Sequence, residues 1–244
     1  GCTGFSENCQ VGYAESSDGI NWARHPSPVL AFGEPGKFDA GIVGGFIGAV
    51  IYDEGLYKMW YMGTENNANN NWRIGYATSS DGMNWTRQNN GNPVLDIGST
   101  GSWDDYKVGH PTVIRDGPLL KMWYHGARNS GAVGNIGYAT SSDGVNWIKY
   151  NDPSTTDPPY AESDPVITSE PGSWDQYVQW QPCVILTNGT YHMWYVAQGP
   201  GSGRQNVGYA YSSDGIHWNK DSANPVITAG SFSWNFLYIL SPCT

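Results

Sequence analysis

"SSDGVNW" occupies residues 141–147, and near-copies stand at 16–22 ("SSDGINW"), 79–85 ("SSDGMNW") and 212–218 ("SSDGIHW"). Their aspartates, Asp18, Asp81, Asp143 and Asp214, recur at intervals of about 62 to 71 residues, and a long fixed period is the first sign of a repeat architecture. Other segments keep step. "YKMWYMG" (57–63), "LKMWYHG" (120–126) and "YHMWYVA" (191–197) precede the second, third and fourth copies. "SPVL" (27–30), "NPVL" (92–95), "DPVI" (164–167) and "NPVI" (224–227) follow the four copies. "GKFD" (36–39), "GSWD" (101–104) and "GSWD" (172–175) open successive units, and "GSFSW" (230–234) begins another.

One unit, read in order, predicts four strands. "PTVIRDG" (111–117) alternates and ends in an Asp-Gly turn, "LKMWYHG" is a second strand, "IGYATSS" (136–142) a third, and "VNWIKY" (145–150) a fourth after another Asp-Gly. Asp-Gly is a strong hairpin signal because type I′ turns need positive φ at both central residues. Four antiparallel strands per repeat predict an all-β propeller built of four-stranded blades. The small residues of "IGYATSS" are expected to let neighbouring blades approach. With strand directions alternating, the first-to-second and third-to-fourth turns share one end of the molecule. The second-to-third loops and the inter-blade connections share the other. The "SSDG" copies then read as scaffold, with Ser and Asp side chains binding local amides and Trp22, Trp85, Trp147 and Trp218 covering the turn.

Composition agrees. Among 244 residues are 32 Gly, 15 Pro, 12 Trp and 16 Tyr, and no stretch has convincing helical periodicity. A formal charge of −10 surrounds the molecule with a field that repels phosphate backbones and anionic lipid, which argues against nucleic acid or membrane partners. Cys2, Cys9, Cys183 and Cys243 form no C-x-x-C pair, so a metal cluster is not expected, and disulfide number stays open. Acidic balance, few lysines and abundant Asn, Gly and Trp suggest an extracellular or periplasmic location.

The whole of 1–244 is expected to form a single domain with partial blades at both ends. Residues 1–30 supply the later strands of a unit and 228–244 open one. These ends either pair within the molecule, which would bring Cys2 and Cys243 to adjacent strands, belong to a five-bladed protein, or pair with another copy of the chain. A structural or assembly protein that self-associates through such terminal strands is the alternative reading.

The turn repeats resemble the Asp-box of sialidase-type propellers, although Asp and Gly are adjacent here. Over nearly its full length the chain resembles the five-bladed β-propeller glycosidase superfamily of arabinanase, invertase and β-mannoside phosphorylase type. That resemblance implies five blades, a carbohydrate-processing or carbohydrate-binding function on an oligo- or polysaccharide, and two carboxylates flanking the scissile bond. It also admits a central calcium as the one possible cofactor. The family acid commonly precedes the proline of an inner strand. The corresponding positions are Ile47, His110, Gln181 and Ser241, so this sequence departs from the pattern.

Other residues at that end become the candidates. Asp39 and Asp104 begin inter-blade connections, Asp105 adds a second acid, and Glu65 breaks the repeat where other units have Arg128 or Gly199 nearby. Glu65, Asp39, Asp104 and Asp105 are the candidate catalytic carboxylates. His110, Trp180, Gln181, Tyr106, Tyr177, Arg73, His125 and Arg128 are the candidate substrate-binding set, because sugar rings stack on aromatic faces and their hydroxyls pair with amides, imidazoles and guanidiniums.

Overall fold

A computed structural model of the protein describes residues 9–44, 49–66, 71–129, 134–200, 203 and 205–230. Expectations about Cys2, Ile47, Ser241, Cys243 and the terminal partial blade after residue 230 lie outside these residues.

The described residues are all-β apart from a three-residue 3₁₀ turn at Asn89–Gly91. The first hairpin is β1 (Ala14–Glu15) with β2 (Ala23–Arg24). The next unit comprises β3 (Ile42–Val43), β4 (Ala49–Asp53), β5 (Leu56–Thr64), β6 (Arg73–Ser79) and β7 (Thr86–Arg87), with β3 and β4 both paired to β5. The third contains β8 (Lys107–Asp116), β9 (Leu119–Ala127), β10 (Gly134–Ser141), β11 (Ile148–Lys149) and β12 (Pro165–Ile167). The fourth contains β13 (Val178–Thr187), β14 (Thr190–Gln198), β15 (Asn206–Ser212) and β16 (Asn219–Lys220). A parallel contact between Gly134 and Val178 joins the third unit to the fourth. The arrangement is a β-propeller of antiparallel blades.

Two sequence expectations need correction. The third-to-fourth turns are not two-residue hairpins: β10 ends at Ser141 and β11 starts at Ile148. In the third unit Ser141 Oγ accepts the amides of Asp143 and Gly144, Asp143 Oδ1 accepts those of Val145 and Asn146, and the Trp147 indole donates to Gly144 O. Serine and aspartate oxygens capture the amides, so the backbone extends only after the tryptophan. The fourth strand is accordingly two residues long, and "DPVI" completes the edge by returning to β10, with Ile136 opposite Ile167. Bridges Val11–Leu30, Ile74–Leu95 and Val207–Ile227 repeat this return in the other units.

Of the small strand-three residues, Ala77, Ala139 and Ala210 lie in the clusters between units, as expected, and only the glycines do something else. They admit a tyrosine of their own sheet: Gly75, Gly137 and Gly208 lie directly opposite Tyr61, Tyr124 and Tyr195. A Cβ on Gly137 would stand 2.5 Å from Tyr124 Cζ. Each ring folds across its glycine and carries its hydroxyl to a buried aspartate.

Those aspartates form repeated struts. Asp39 Oδ2 accepts from Tyr61 (2.9 Å) and Arg87 Nε (2.8 Å), Asp104 Oδ2 from Tyr124 (3.2 Å) and Lys149 (2.7 Å), and Asp175 Oδ2 from Tyr195 (3.3 Å) and Lys220 (2.7 Å). The cation always comes from the short fourth strand. Removing one partner of such a buried pair generally costs about 3–5 kcal/mol, so these contacts fix the "GKFD" and "GSWD" segments against their own blades.

The apolar core is divided among three clusters, each spanning two neighbouring units. Trp60, Tyr76, Leu120, Met122 and Tyr124 share one, Trp123, Tyr138, Val184, Met193 and Tyr195 another, and Val11, Leu30, Met59 and Tyr61 the third. The turn repeats latch these interfaces. Trp60 donates its indole N–H to Gly144 O (3.0 Å) and Trp123 to Gly215 O (2.8 Å), each reaching from strand two into the next unit's "SSDG" turn.

Candidate functional site

At the opposite end the repeat is interrupted. The β8–β9 register shifts between Gly109 and Thr112, and the β13–β14 register between Trp180 and Cys183. At each irregularity the residue before proline has positive φ, +49° for His110 and +49° for Gln181. Non-glycine residues in this region cost on the order of 1–3 kcal/mol, and bulges commonly re-aim a side chain near a working site. These are the positions where the family resemblance expects an acid.

Four rings from three units converge here. Ring centroids lie 5.2 Å apart for Trp72 and His110, 5.9 Å for His110 and His125, 6.0 Å for His110 and Trp180, and 6.3 Å for His125 and Trp180. Trp72 stands just before β6, His110 on β8, His125 near the end of β9, and Trp180 on β13. Two glycines make room: a Cβ on Gly134 would stand 2.2 Å from His125 Cε1, and one on Gly109 would stand 3.3 Å from the Trp72 ring. Lys107 lays its ammonium over Trp72, 4.6 Å from the ring centroid, a cation–π contact.

Electrostatics at this cluster are one-sided. Burial lowers the Lys107 pKa. Burial, then the nearby His125 and Lys107, hold His110 well below the ordinary imidazole range. His125 is pushed down to about 3 by burial and by Lys107, against the opposing bond to Gln179. Both histidines are therefore neutral at physiological pH. A carbonyl only accepts, so His125 Nδ1 carries the proton and donates to Gln179 O at 3.0 Å, leaving Nε2 with its lone pair. That Nε2 and the Trp180 indole N–H are buried without hydrogen-bond partners, and among the described residues no carboxylate pairs with Lys107.

The remaining candidates are dispersed. Glu65 is exposed in the β5–β6 connection, the one that leads to Trp72. Asp105 is half-buried and accepts the Gly101 amide (2.6 Å), bracing the "GSWD" turn. Asp39 and Asp104 are fully buried in the struts, which gives them a structural task. Arg73 pairs with Asp96 and donates to Trp72 O, holding the backbone that carries Trp72. Tyr106 donates its amide to Ala127 O, Tyr177 is exposed, and Arg128 is exposed after β9. Among the described residues no group of three or more His, Cys, Asp or Glu is placed to hold a metal ion.

Sequence reasoning missed Lys107. It sits where the fourth unit has Val178 in the aligned "GSWDDYKVGHP" and "GSWDQYVQWQP", so the test of repeat-breaking that singled out Glu65 would also have found it.

No family model matches the sequence. It is 32% identical over 210 residues to an uncharacterized protein of Mycobacterium tuberculosis (strain H37Rv), covering 82% of this chain and 60% of that protein. Its fold is shared by a solved glycoside hydrolase, with a TM-score of 0.72, 20% identity, and 93% of this chain and 68% of that enzyme covered. It is also shared by Zg3597, a family 117 glycoside hydrolase of Zobellia galactanivorans, with a TM-score of 0.61, 18% identity, and coverage of 76% and 57%. At identities of 18–20% these likenesses show the fold alone: a β-propeller shared with solved glycoside hydrolases. The chain spans about 60% of the mycobacterial relative and 57% of the family 117 enzyme.

Proposed function

We propose that the protein processes carbohydrate at the end carrying Trp72, His110, His125 and Trp180, as a glycoside hydrolase-like propeller. The observation that carries this reading is the convergence of two indole faces, two neutral imidazoles and one cation where three units meet. Indole faces suit the apolar side of a sugar ring, and the imidazoles and the indole N–H suit its hydroxyls. The fold's occurrence among glycoside hydrolases supports it by analogy.

Within this reading Glu65 is the catalytic carboxylate, since it is the candidate acid that is both exposed and on the loop leading to Trp72. Asp39 and Asp104 hold the scaffold. His110 and Gln181, on their bulges, orient the substrate. Cys9 is disulfide-bonded, which fits an oxidising compartment outside the cytoplasm.

The test is incubation of the purified protein with arabinan, fructan, mannosides and galactans, scoring released and retained sugar. Release that falls by about 10²-fold or more in Glu65→Gln supports a catalytic acid or base there. Release untouched by that substitution removes Glu65 from the chemistry. A protein that neither releases nor retains any sugar of the panel removes the carbohydrate reading.

A further inference from the structure

Lys107 is the feature of the cluster that a neutral sugar leaves unexplained. Its ammonium is half-buried over Trp72, no carboxylate among the described residues answers it, and the neighbouring histidines are neutral. Other cations of the interior are matched: Lys58 with Asp53, Lys121 with Asp116, Lys149 with Asp104, Lys220 with Asp175. A partly buried charge without a counter-ion is costly, and here it stands in a protein of net charge −10. In the same cluster of rings, the unpartnered Trp180 N–H supplies a donor and His125 Nε2 an acceptor. Buried polar atoms without partners are rare enough in folded proteins to require a reason.

We infer that this cluster is a subsite for an acidic sugar: the carboxylate of a uronic acid pairs with Lys107, while its ring and hydroxyls meet Trp180 and His125. The inference rests on the carbohydrate reading and deepens it to a substrate class. One cation matches one carboxylate. An inorganic phosphate at neutral pH carries more than one charge, about one and a half on average, and with both histidines neutral the cluster has only one to offer. The hydroxyls of a sugar acid also answer the His125 lone pair, which a bare anion would leave facing negative charge.

The experiment is titration of the purified full-length protein, at low and moderate salt, with galacturonate and glucuronate oligosaccharides. Their neutral galactose and glucose counterparts, and inorganic phosphate alone, are titrated in parallel. The charge-assisted contact is expected to favour the uronide by about tenfold or more, with the preference weakening as salt rises. Lys107→Met should abolish the preference and Lys107→Arg should keep most of it. Removal of an unmatched cation should also leave the ligand-free melting temperature of Lys107→Met unchanged or higher, which separates a binding role from loss of fold. Equal affinity for uronide and neutral sugar overturns the inference, as does a preference that survives Lys107→Met or phosphate binding without uronide preference. Processing of neutral sugars without any uronide preference leaves the carbohydrate reading standing and removes only this subsite. Failure to bind any sugar removes both.

Discussion

The two ends of this propeller treat polar atoms in opposite ways. At the turn end, four "SSDG" copies give their serine, aspartate and indole groups the same partners, so that Asp18, Asp81, Asp143 and Asp214 are all held below the usual carboxylate range. Backbone amides and the neighbouring Asn side chain do this in the first three, whereas at Asp214 burial pushes the other way as the largest single effect and is outweighed only by the His217 side chain, the His217 and Ile216 amides and Ser212 acting together. At the loop end, residues found in one unit only leave a cation, an indole N–H and an imidazole nitrogen unmatched. Satisfaction that repeats marks scaffold, and dissatisfaction that does not repeat marks a place prepared for something else.

The largest effect that would break this comparison lies in the struts. Lys149→Met leaves the fully buried Asp104 carboxylate with only Tyr124, and a loss of about 3–5 kcal/mol of unfolding free energy is expected by denaturant titration. A loss below about 1 kcal/mol would mean that repetition at this position reflects something other than stability. The same substitution at Lys107, in the unpaired cluster, should cost nothing.

A smaller effect follows from pH. Hydrogen bonding to Arg115, with Lys58 assisting, lowers Asp53 to about 2 against burial, which pushes the other way. A depressed carboxylate contributes stability above its unfolded pKa, near 4, and loses it as pH falls toward 2. The acid limb of the stability curve should therefore steepen between about pH 4 and 2, and Asp53→Asn should flatten it by about 1 kcal/mol. Because Arg115 lies in the next unit, the contribution is one of blade-to-blade cohesion. An unaltered limb in the variant would show that the pair is screened in solution.

Much of this fold was legible because repeats advertise themselves. The spacing of the Asp-Gly-x-Asn-Trp segments and of "MWY" was enough for antiparallel units and for the turn end. What escaped was the reach of side chains. Capture of local amides by Ser141 and Asp143 was legible in the turn residues, but not that it would delay the fourth strand to Ile148, nor that "DPVI" would complete its edge. Tyr124 crossing Gly137 to find Asp104 joins residues far apart in sequence, and only tertiary register reveals it. The candidate site was half legible: His110, His125 and Trp180 were singled out, but their meeting with Trp72 depends on two bulges and two glycine clearances. Lys107 was readable by alignment of the units, yet a single lysine on a predicted strand looks like any solvated charge until its surroundings are known.

The smallest expected stability effect gives the sharpest comparison, because one chemical change can be made at both ends. Trp123→Phe removes an indole N–H that donates to Gly215 O across a unit boundary. Trp180→Phe removes one that donates to nothing. The first loses a buried hydrogen bond and some packing, about 1–2 kcal/mol, although Trp218 still satisfies Gly215 O at 3.0 Å. The second loses packing but also relieves a buried donor that has no acceptor, so its stability change should stay within about 1 kcal/mol and fall on either side of zero. In ligand titrations the order reverses. Trp123→Phe should leave sugar affinity unchanged, while Trp180→Phe should weaken it severalfold, because the N–H that is idle in the free protein is the one the ligand engages. Equal stability losses at the two positions, with no affinity loss at Trp180, would make the unmatched indole an ordinary defect of packing and leave the loop end without its distinguishing chemistry.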